Sequence, residues 1–358
     1  MDDTTDEPVL TVSISEVDLT RWRQGGEADR RALADEVRVI CHHIGFFHLV
    51  GHGLSPALLA EHAGFRARFF ALPEETKRRI DKVGSPHFRG WEPVGAELTG
   101  GRPDQREQLD LAVENPVRGL RADPPYLRLD GPNQWLPDEV LPGFRDHLAC
   151  LFAALSALAD ELLGVLSVGL GLAEDHLERL FGDRPLSLVK LISYPPTPQG
   201  EAGVNAHHDA GFLTLVLQDD EGGLQAEAPD GTWVDVPPRT DAFVVNLGEM
   251  LQEMSGNYYV ATTHRVITGV ARFSSAWFHG PALETELTPL PLAPELAAAV
   301  AASPRHAGAG FMARREELES GVAGIASSAG AGVYGQQLWN YYRRSYPNIM
   351  RRHHPDCA

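Results

Sequence analysis

Apolar residues recur along this chain in two rhythms, and the change between them divides it. Leu33, Val37, Ile40 and Ile44 stand three or four apart, the period of a helix that buries one face. Ser55-Pro56 supplies an N-cap and a first helical position for a helix ending near Leu72-Pro73, and a long helix begins at about Pro142. From about Leu186 to Phe278 the rhythm shortens to strand-like runs, cut by turn signals at Gly222-Gly223 and Pro229-Asp-Gly231. Strands at such short spacing predict a jelly roll rather than a parallel α/β sheet. Beyond Pro281, the run Ala297 to Ala302 predicts a helix stopped by Ser303-Pro304. The Ala-, Gly- and Ser-rich stretch from Gly321 to Gly332 suits either a mobile lid or a surface linker. The expected architecture is mainly β with flanking helices: a helical N-terminal region over residues 1–180, the β core over 181–285 and a helical or lid-forming segment over 286–358.

Composition narrows the class. With 358 residues, 43% hydrophobic and 22% charged, the chain is long enough for one sizeable core with a helical annex, so one functional domain is expected. A formal net charge of -18 argues against nucleic acid or an anionic membrane as partner, and leaves a small molecule as the expected ligand. The apolar run from Leu151 to Leu172 is interrupted by Asp160 and Glu161 and reads as a core helix rather than a membrane span. Cys41, Cys150 and Cys357 are too few and too scattered for a disulfide framework or a thiolate metal cluster. The acidic start, Met1-Asp-Asp-Thr-Thr-Asp-Glu, lacks the pattern of a secretory leader, so a cytoplasmic location is expected. Oligomeric state is left open.

Within the β-rich region stands Asn205-Ala-His207-His208-Asp209, followed by the run Phe212-Leu-Thr-Leu-Val-Leu. Side chains two apart on a strand share a face, so His207 and Asp209 can chelate one metal while His208 faces away. His176-Leu-Glu178 and His354-Pro-Asp356 repeat the pattern by chance, the first in a helical run and the second beside Pro355 near the chain end. A third ligand is expected from a distant strand, and His264 lies in Tyr258-Tyr-Val-Ala-Thr-Thr-His-Arg-Val-Ile. Two imidazoles and one carboxylate suit a ferrous ion with open positions, although zinc accepts the same set. On the next expected strand Arg272 and Ser274 share a face, where a guanidinium fork and a hydroxyl can grip one carboxylate.

These residues resemble the isopenicillin N synthase-like family of 2-oxoglutarate and iron(II)-dependent oxygenases, whose core is a double-stranded β-helix, or jelly roll. The resemblance spans most of the chain: Gly45-Phe-Phe-His-Leu-Val-Gly-His-Gly53, Phe69-Phe-Ala-Leu-Pro-Glu-Glu-Thr-Lys77, Ser193-Tyr194-Pro195-Pro196, the His-x-Asp, the distal His and the Arg-x-Ser. The end of the chain, Tyr334-Gly-Gln-Gln-Leu with Arg344-Ser-Tyr-Pro, resembles a bacterial and fungal branch. What the resemblance implies is iron held by His207, Asp209 and His264, and 2-oxoglutarate held by Arg272 with Ser274 and Tyr194. The implied reaction uses O2, releases succinate and CO2, and most simply hydroxylates an unactivated carbon of a small metabolite, with ascorbate as reductant in vitro. Desaturation or ring chemistry would need the same residues. By the same resemblance, Phe88, Arg89, Trp91, Lys190, Phe212, Phe278 and Arg343 are the substrate-cavity candidates. One departure is Ile192, where many members carry Asn two residues before the Tyr. Strand parity puts Lys190 on the Tyr194 face, so a pocket role and a solvated lysine are both open. Two alternatives stand beside this expectation: an iron oxidase that gives the Arg-x-Ser to its substrate's own carboxylate, and a non-catalytic jelly-roll binding protein.

Overall fold

Lys190, Ile192 and Tyr194 alternate with Val189, Leu191 and Ser193, and the two sets meet different surroundings, as a strand requires. The computed structural model describes residues 13–198, 201–303, 306 and 332–357. In chain order its strands include β1 (Ser15–Asp18), β2 (Phe46–Val50), β3 (Gly90–Glu92), β4 (Leu98–Thr99), β5 (Arg102–Pro103), β6 (Glu107–Ala112) and β7 (Leu188–Tyr194). They continue with β8 (Ala202–His207), β9 (Leu213–Gln218), β10 (Leu224–Glu227), β11 (Trp233–Asp235), β12 (Phe243–Leu247), β13 (His264–Ile267) and β14 (Arg272–His279). Among the described residues, one eight-stranded sheet runs β1-β2-β12-β9-β14-β7-β6-β3, and a four-stranded sheet runs β11-β10-β13-β8.

The two sheets bury their inner faces against each other. Ile192, Tyr194 and Val244 of the large sheet pack with Val204, Leu224, Ala226 and Val266 of the small one, and Phe46 joins them. The outer face of the large sheet presents Val189, Leu191, Leu215 and Trp277 to the helical layer, where Phe152 meets the Trp277 ring edge-on. Phe152 belongs to the helix Phe144–Gly169, which is long and apolar enough to cross a membrane. Its Leu148, Leu151, Leu155 and Leu162 are buried in the protein core, each burial contributing about 1.5–3 kcal/mol.

The helices expected in the first half are present, although Ile44 lies just past the end of the first and Ile40 is only half-buried on it. Leu33 and Val37 are buried on the helix Glu27–His43, and Ser55 caps the helix Pro56–Phe70 by accepting from Leu58 N at 3.2 Å. The N-terminal part is more than helical, however, because β1, β2, β3 and β6 extend the large sheet. The helix expected at Ala297 to Ala302 spans Pro294–Ala302. The stretch expected as lid or linker lies outside the described residues up to position 331.

Candidate functional site

His207 ends β8 and His264 begins β13, and the antiparallel register sets the two directly opposite each other, their ring centroids 4.3 Å apart. Between this pair and the next, Val266 with Val204, β8 carries an extra residue, an irregularity of the kind that re-aims side chains. Asp209 lies beyond the end of β8, so strand parity does not place it. It is held instead by its surroundings. Its backbone carbonyl accepts from Glu249 N at 2.8 Å, and its Oδ2 accepts from Thr214 Oγ1 at 2.6 Å and Asn246 Nδ2 at 2.7 Å. Oδ1 is left 3.8 Å from His207 Nε2 and 3.6 Å from His264 Nε2.

The imidazoles are oriented for the same point. His207 Nδ1 donates to Asn205 O at 2.8 Å and His264 Nδ1 to Thr262 O at 3.0 Å. A carbonyl only accepts, so each Nδ1 carries the proton and each Nε2 presents a lone pair. Burial drives the His207 pKa down to about 3, reinforced by His264 and opposed by Asp209, which keeps the ring neutral. For Asp209 burial acts upward, but His264, His207 and the bonds from Thr214 and Asn246 outweigh it and hold the carboxylate ionised. Two neutral nitrogens and one carboxylate oxygen, all within 4.8 Å, are the donor set of an ion that keeps positions open for other ligands. His208 turns away, its Nε2 2.8 Å from Thr263 Oγ1 and its Nδ1 3.2 Å from Glu249.

A second cluster lies on the large sheet. Arg272, Ser274, Ala276 and Phe278 share one face of β14 and stand opposite Tyr194, Ile192, Lys190 and Leu188 of β7. The Arg272 guanidinium sits 5.2 Å from the Tyr194 ring centre, donating from Nη1 to Gly222 O at 3.2 Å and from Nη2 to Gln218 Oε1 at 3.1 Å. Because Gln218 Oε1 takes that donor, its Nε2 is fixed as an outward N–H. Among the described residues Arg272 Nε and Gln218 Nε2 are both buried without a partner. Two buried donors left unpaired cost about 1–3 kcal/mol each, and a carboxylate supplies the acceptors both lack. Gly203 permits the close fit around Tyr194, since a Cβ there would lie 2.8 Å from the ring.

The substrate-cavity candidates divide. Phe278 and Lys190 are on the inner face, Phe278 in register with Thr214 and partly exposed. The other five lie elsewhere. Trp91 alternates with the inward Gly90 and Glu92, so its ring packs in the outer core and its Nε1 donates to Glu107 at 3.0 Å. Phe88 stacks on Tyr342 at 4.4 Å beneath the C-terminal helices. Arg89 is spent on backbone carbonyls, those of His87 at 2.6 Å and Leu129 at 3.2 Å. Phe212 is fully buried beside Phe181, and Arg343 is exposed on the helix Tyr334–Ser345.

Lys190 is neither solvated nor unpaired. Its ammonium donates to Glu97 Oε2 at 2.7 Å and lies 3.6 Å from Asp110. It belongs to a buried wall in which Lys82 bonds Glu92 and Asp110 (2.7 Å to Asp110), and Arg106 pairs with Glu97 at 2.7 Å and Asp104 at 3.0 Å. Tyr341 closes the wall from the C-terminal side by donating to Glu97 Oε1 at 2.7 Å. Lys190, Arg106 and Lys82 hold the Glu97 carboxyl well below its ordinary range, against the upward push of burial. Glu97, Arg106, Thr214 and Asn246 are site residues that sequence reasoning missed. For Thr214 and Asn246 a signal existed: a polar residue inside the apolar run of the strand Leu213–Gln218, which ends on Gln218, and the single polar residue of the strand Phe243–Leu247.

Comparison with known proteins follows the geometry. Residues 185–281 match the family described as the 2OG-Fe(II) oxygenase superfamily, and residues 14–138 match the N-terminal region of non-haem dioxygenases of morphine synthesis. The chain is 33% identical to the 2-oxoglutarate-dependent dioxygenase citB of Monascus ruber over 300 residues, 79% of this chain and 90% of the relative. It is 35% identical to the 2-oxoglutarate-Fe(II) type oxidoreductase hxnY of Emericella nidulans over 268 residues, 70% of this chain and 74% of the relative. In fold it is similar to a 2OG-Fe(II) oxygenase family protein of Caulobacter crescentus, with a TM-score of 0.72 at 24% identity over 93% of this chain and 99% of that one.

Proposed function

Since the chain belongs to the 2-oxoglutarate and iron(II)-dependent oxygenase family, we propose that His207, Asp209 and His264 hold its iron and that Arg272 anchors its 2-oxoglutarate. The observation that carries this reading is the pairing of two incomplete donor sets in one molecule: a three-ligand cluster short of a full coordination sphere, and unpaired buried donors beside Arg272. Iron, 2-oxoglutarate and O2 together supply oxidative decarboxylation to succinate and CO2, coupled to oxidation of a small organic substrate. The residues do the rest. Thr214 and Asn246 fix one oxygen of Asp209 so that the other faces the imidazoles. Arg272 Nε and Gln218 Nε2 would grip the distal carboxylate, with the Ser274 hydroxyl beside them and Tyr194 stacked below the guanidinium. Ile192 offers no polar contact, so the grip falls more heavily on β14 and β9.

The reaction class is oxidation of a carbon in a small metabolite, and hydroxylation is its simplest outcome. A reducing cytoplasm suits the three free cysteines. Substrate-dependent succinate release, measured with and without iron(II) and 2-oxoglutarate, tests the whole reading. Arg272→Lys tests the anchor. The variant keeps the charge but loses the fork, so 2-oxoglutarate affinity should fall by about 1.5–3 kcal/mol while metal affinity is unchanged. If Arg272→Lys instead weakened only the primary substrate, the Arg-x-Ser would belong to the substrate's carboxylate.

A further inference from the structure

The inner face of the large sheet carries unpaired buried atoms of two opposite kinds. On β14 and β9 they are donors, Arg272 Nε and Gln218 Nε2. On β6 they are acceptors, Asp110 Oδ1 and Gln108 Oε1, which register places inward opposite Lys190 and Ile192. The Gln108 amide is fixed in that sense, because its Nε2 already donates to Glu92 at 2.8 Å and Glu97 at 2.7 Å. Among the described residues Asp104 Oδ1 is a third buried acceptor without a donor, and Arg106 Nε is an unpaired donor of the same wall. The wall's cations are directed elsewhere: Lys82 takes Asp110 Oδ2, Arg106 pairs with Glu97 and Asp104, and the short contact of Lys190 is with Glu97.

We propose that this wall recognises a cationic nitrogen of the primary substrate, an ammonium or guanidinium, through Asp110 and Gln108; the proposal rests on the oxygenase reading of the iron site. Asp110 and Gln108 are two apart on one strand face, a separation of about 6.6 Å along the backbone, so N–H bonds diverging from one group reach both acceptors. A carboxylate in the same place would face Asp110 and Glu97 at close range. The wall lies near the metal site: Gln105 N, next to Arg106, donates to Gly203 O at 2.9 Å on the strand that ends in His207, and Ile192 pairs with both Gln108 and Ser274. Donors for the co-substrate and acceptors for the substrate then sort the two ligands by charge, so neither competes for the other's place.

The test uses the full chain loaded anaerobically with iron(II) and 2-oxoglutarate. Binding of 4-phenylbutylamine and butylguanidine is measured by saturation-transfer NMR against the matched carboxylates 4-phenylbutyrate and pentanoate. At least one amine or guanidine should bind tenfold or more tightly than its matched carboxylate, and Asp110→Asn should erase that preference while 2-oxoglutarate affinity is retained. A panel in which no cationic probe outbinds its carboxylate partner overturns the proposal, and does so on the wild-type protein whether or not the variant folds. Failure of 2-oxoglutarate to bind the metal-loaded protein would instead strike the oxygenase reading, a separate outcome read before any probe is added.

Discussion

Asn246 and Thr214 both donate to one oxygen of Asp209, and on the proposed reading this decides which oxygen a metal can take. Asn246→Ala should therefore weaken metal affinity by about 10–100-fold, the range for losing an outer-shell partner, in an anaerobic Co(II) titration followed by absorbance. Unchanged affinity would mean that the Asp209 loop is rigid without it. At Lys190 the structure changes the expected outcome. Deleting the ammonium by Lys190→Met strands Glu97 as a buried carboxylate short of a cation, and breaking such a pair costs about 3–5 kcal/mol. Urea unfolding should show that loss directly; a variant as stable as the parent would mean that Arg106 alone satisfies Glu97.

At the scale of the element, the sequence was most legible where one strand or helix carried the whole signal. Parity on β7 and β14 correctly paired Lys190 with Tyr194 and Arg272 with Ser274, and Ser55-Pro56 marked a real cap. Parity around His207 brought His207 and Asp209 together for an incomplete reason, because β8 stops at His207 and Asp209 is aimed by groups on β9 and β12. Trp91 packs away from the inner face for a related cause: an aromatic residue near a pocket faces either side of its strand, and only the partners of β3 decide which. The charged wall joins β3, β6, β7 and the C-terminal helix, a set of contacts no local pattern records. Packing between strands also sets the role of Gly203, which brings β8 against Tyr194. Gly203→Ala should press its methyl into that ring, lowering 2-oxoglutarate affinity measured by calorimetry with little change in metal affinity. An unaltered co-substrate affinity would show that Tyr194 yields without disturbing Arg272.

Across the whole molecule, buried histidines make stability depend on acid. Burial, then the charges of Arg66 and His147, push the His62 pKa down to about 3, and burial also lowers His48, His52, His87, His147 and His354. An unfolded chain takes up these protons near pH 6.5, whereas the folded chain refuses them, so stability is complete above that pH and drains away below it. For His62 the loss approaches about 1.4 kcal/mol per pH unit between 6.5 and 3. Urea midpoints of chelator-treated protein should fall from pH 7.5 to 5, and His62→Gln should flatten the slope; equal slopes would remove His62 from the account. The direct pairing of His207 with His264 has a different consequence at this scale. These two strands belong to the smaller sheet, and a slip of one position would carry one imidazole to the opposite face. An ion bound by both therefore acts as a staple that tolerates a single alignment, favouring the folded chain by about 2.7 kcal/mol when its concentration is a hundredfold its dissociation constant. The cofactor that makes the protein a catalyst thus also proofreads the alignment of the strands that carry it.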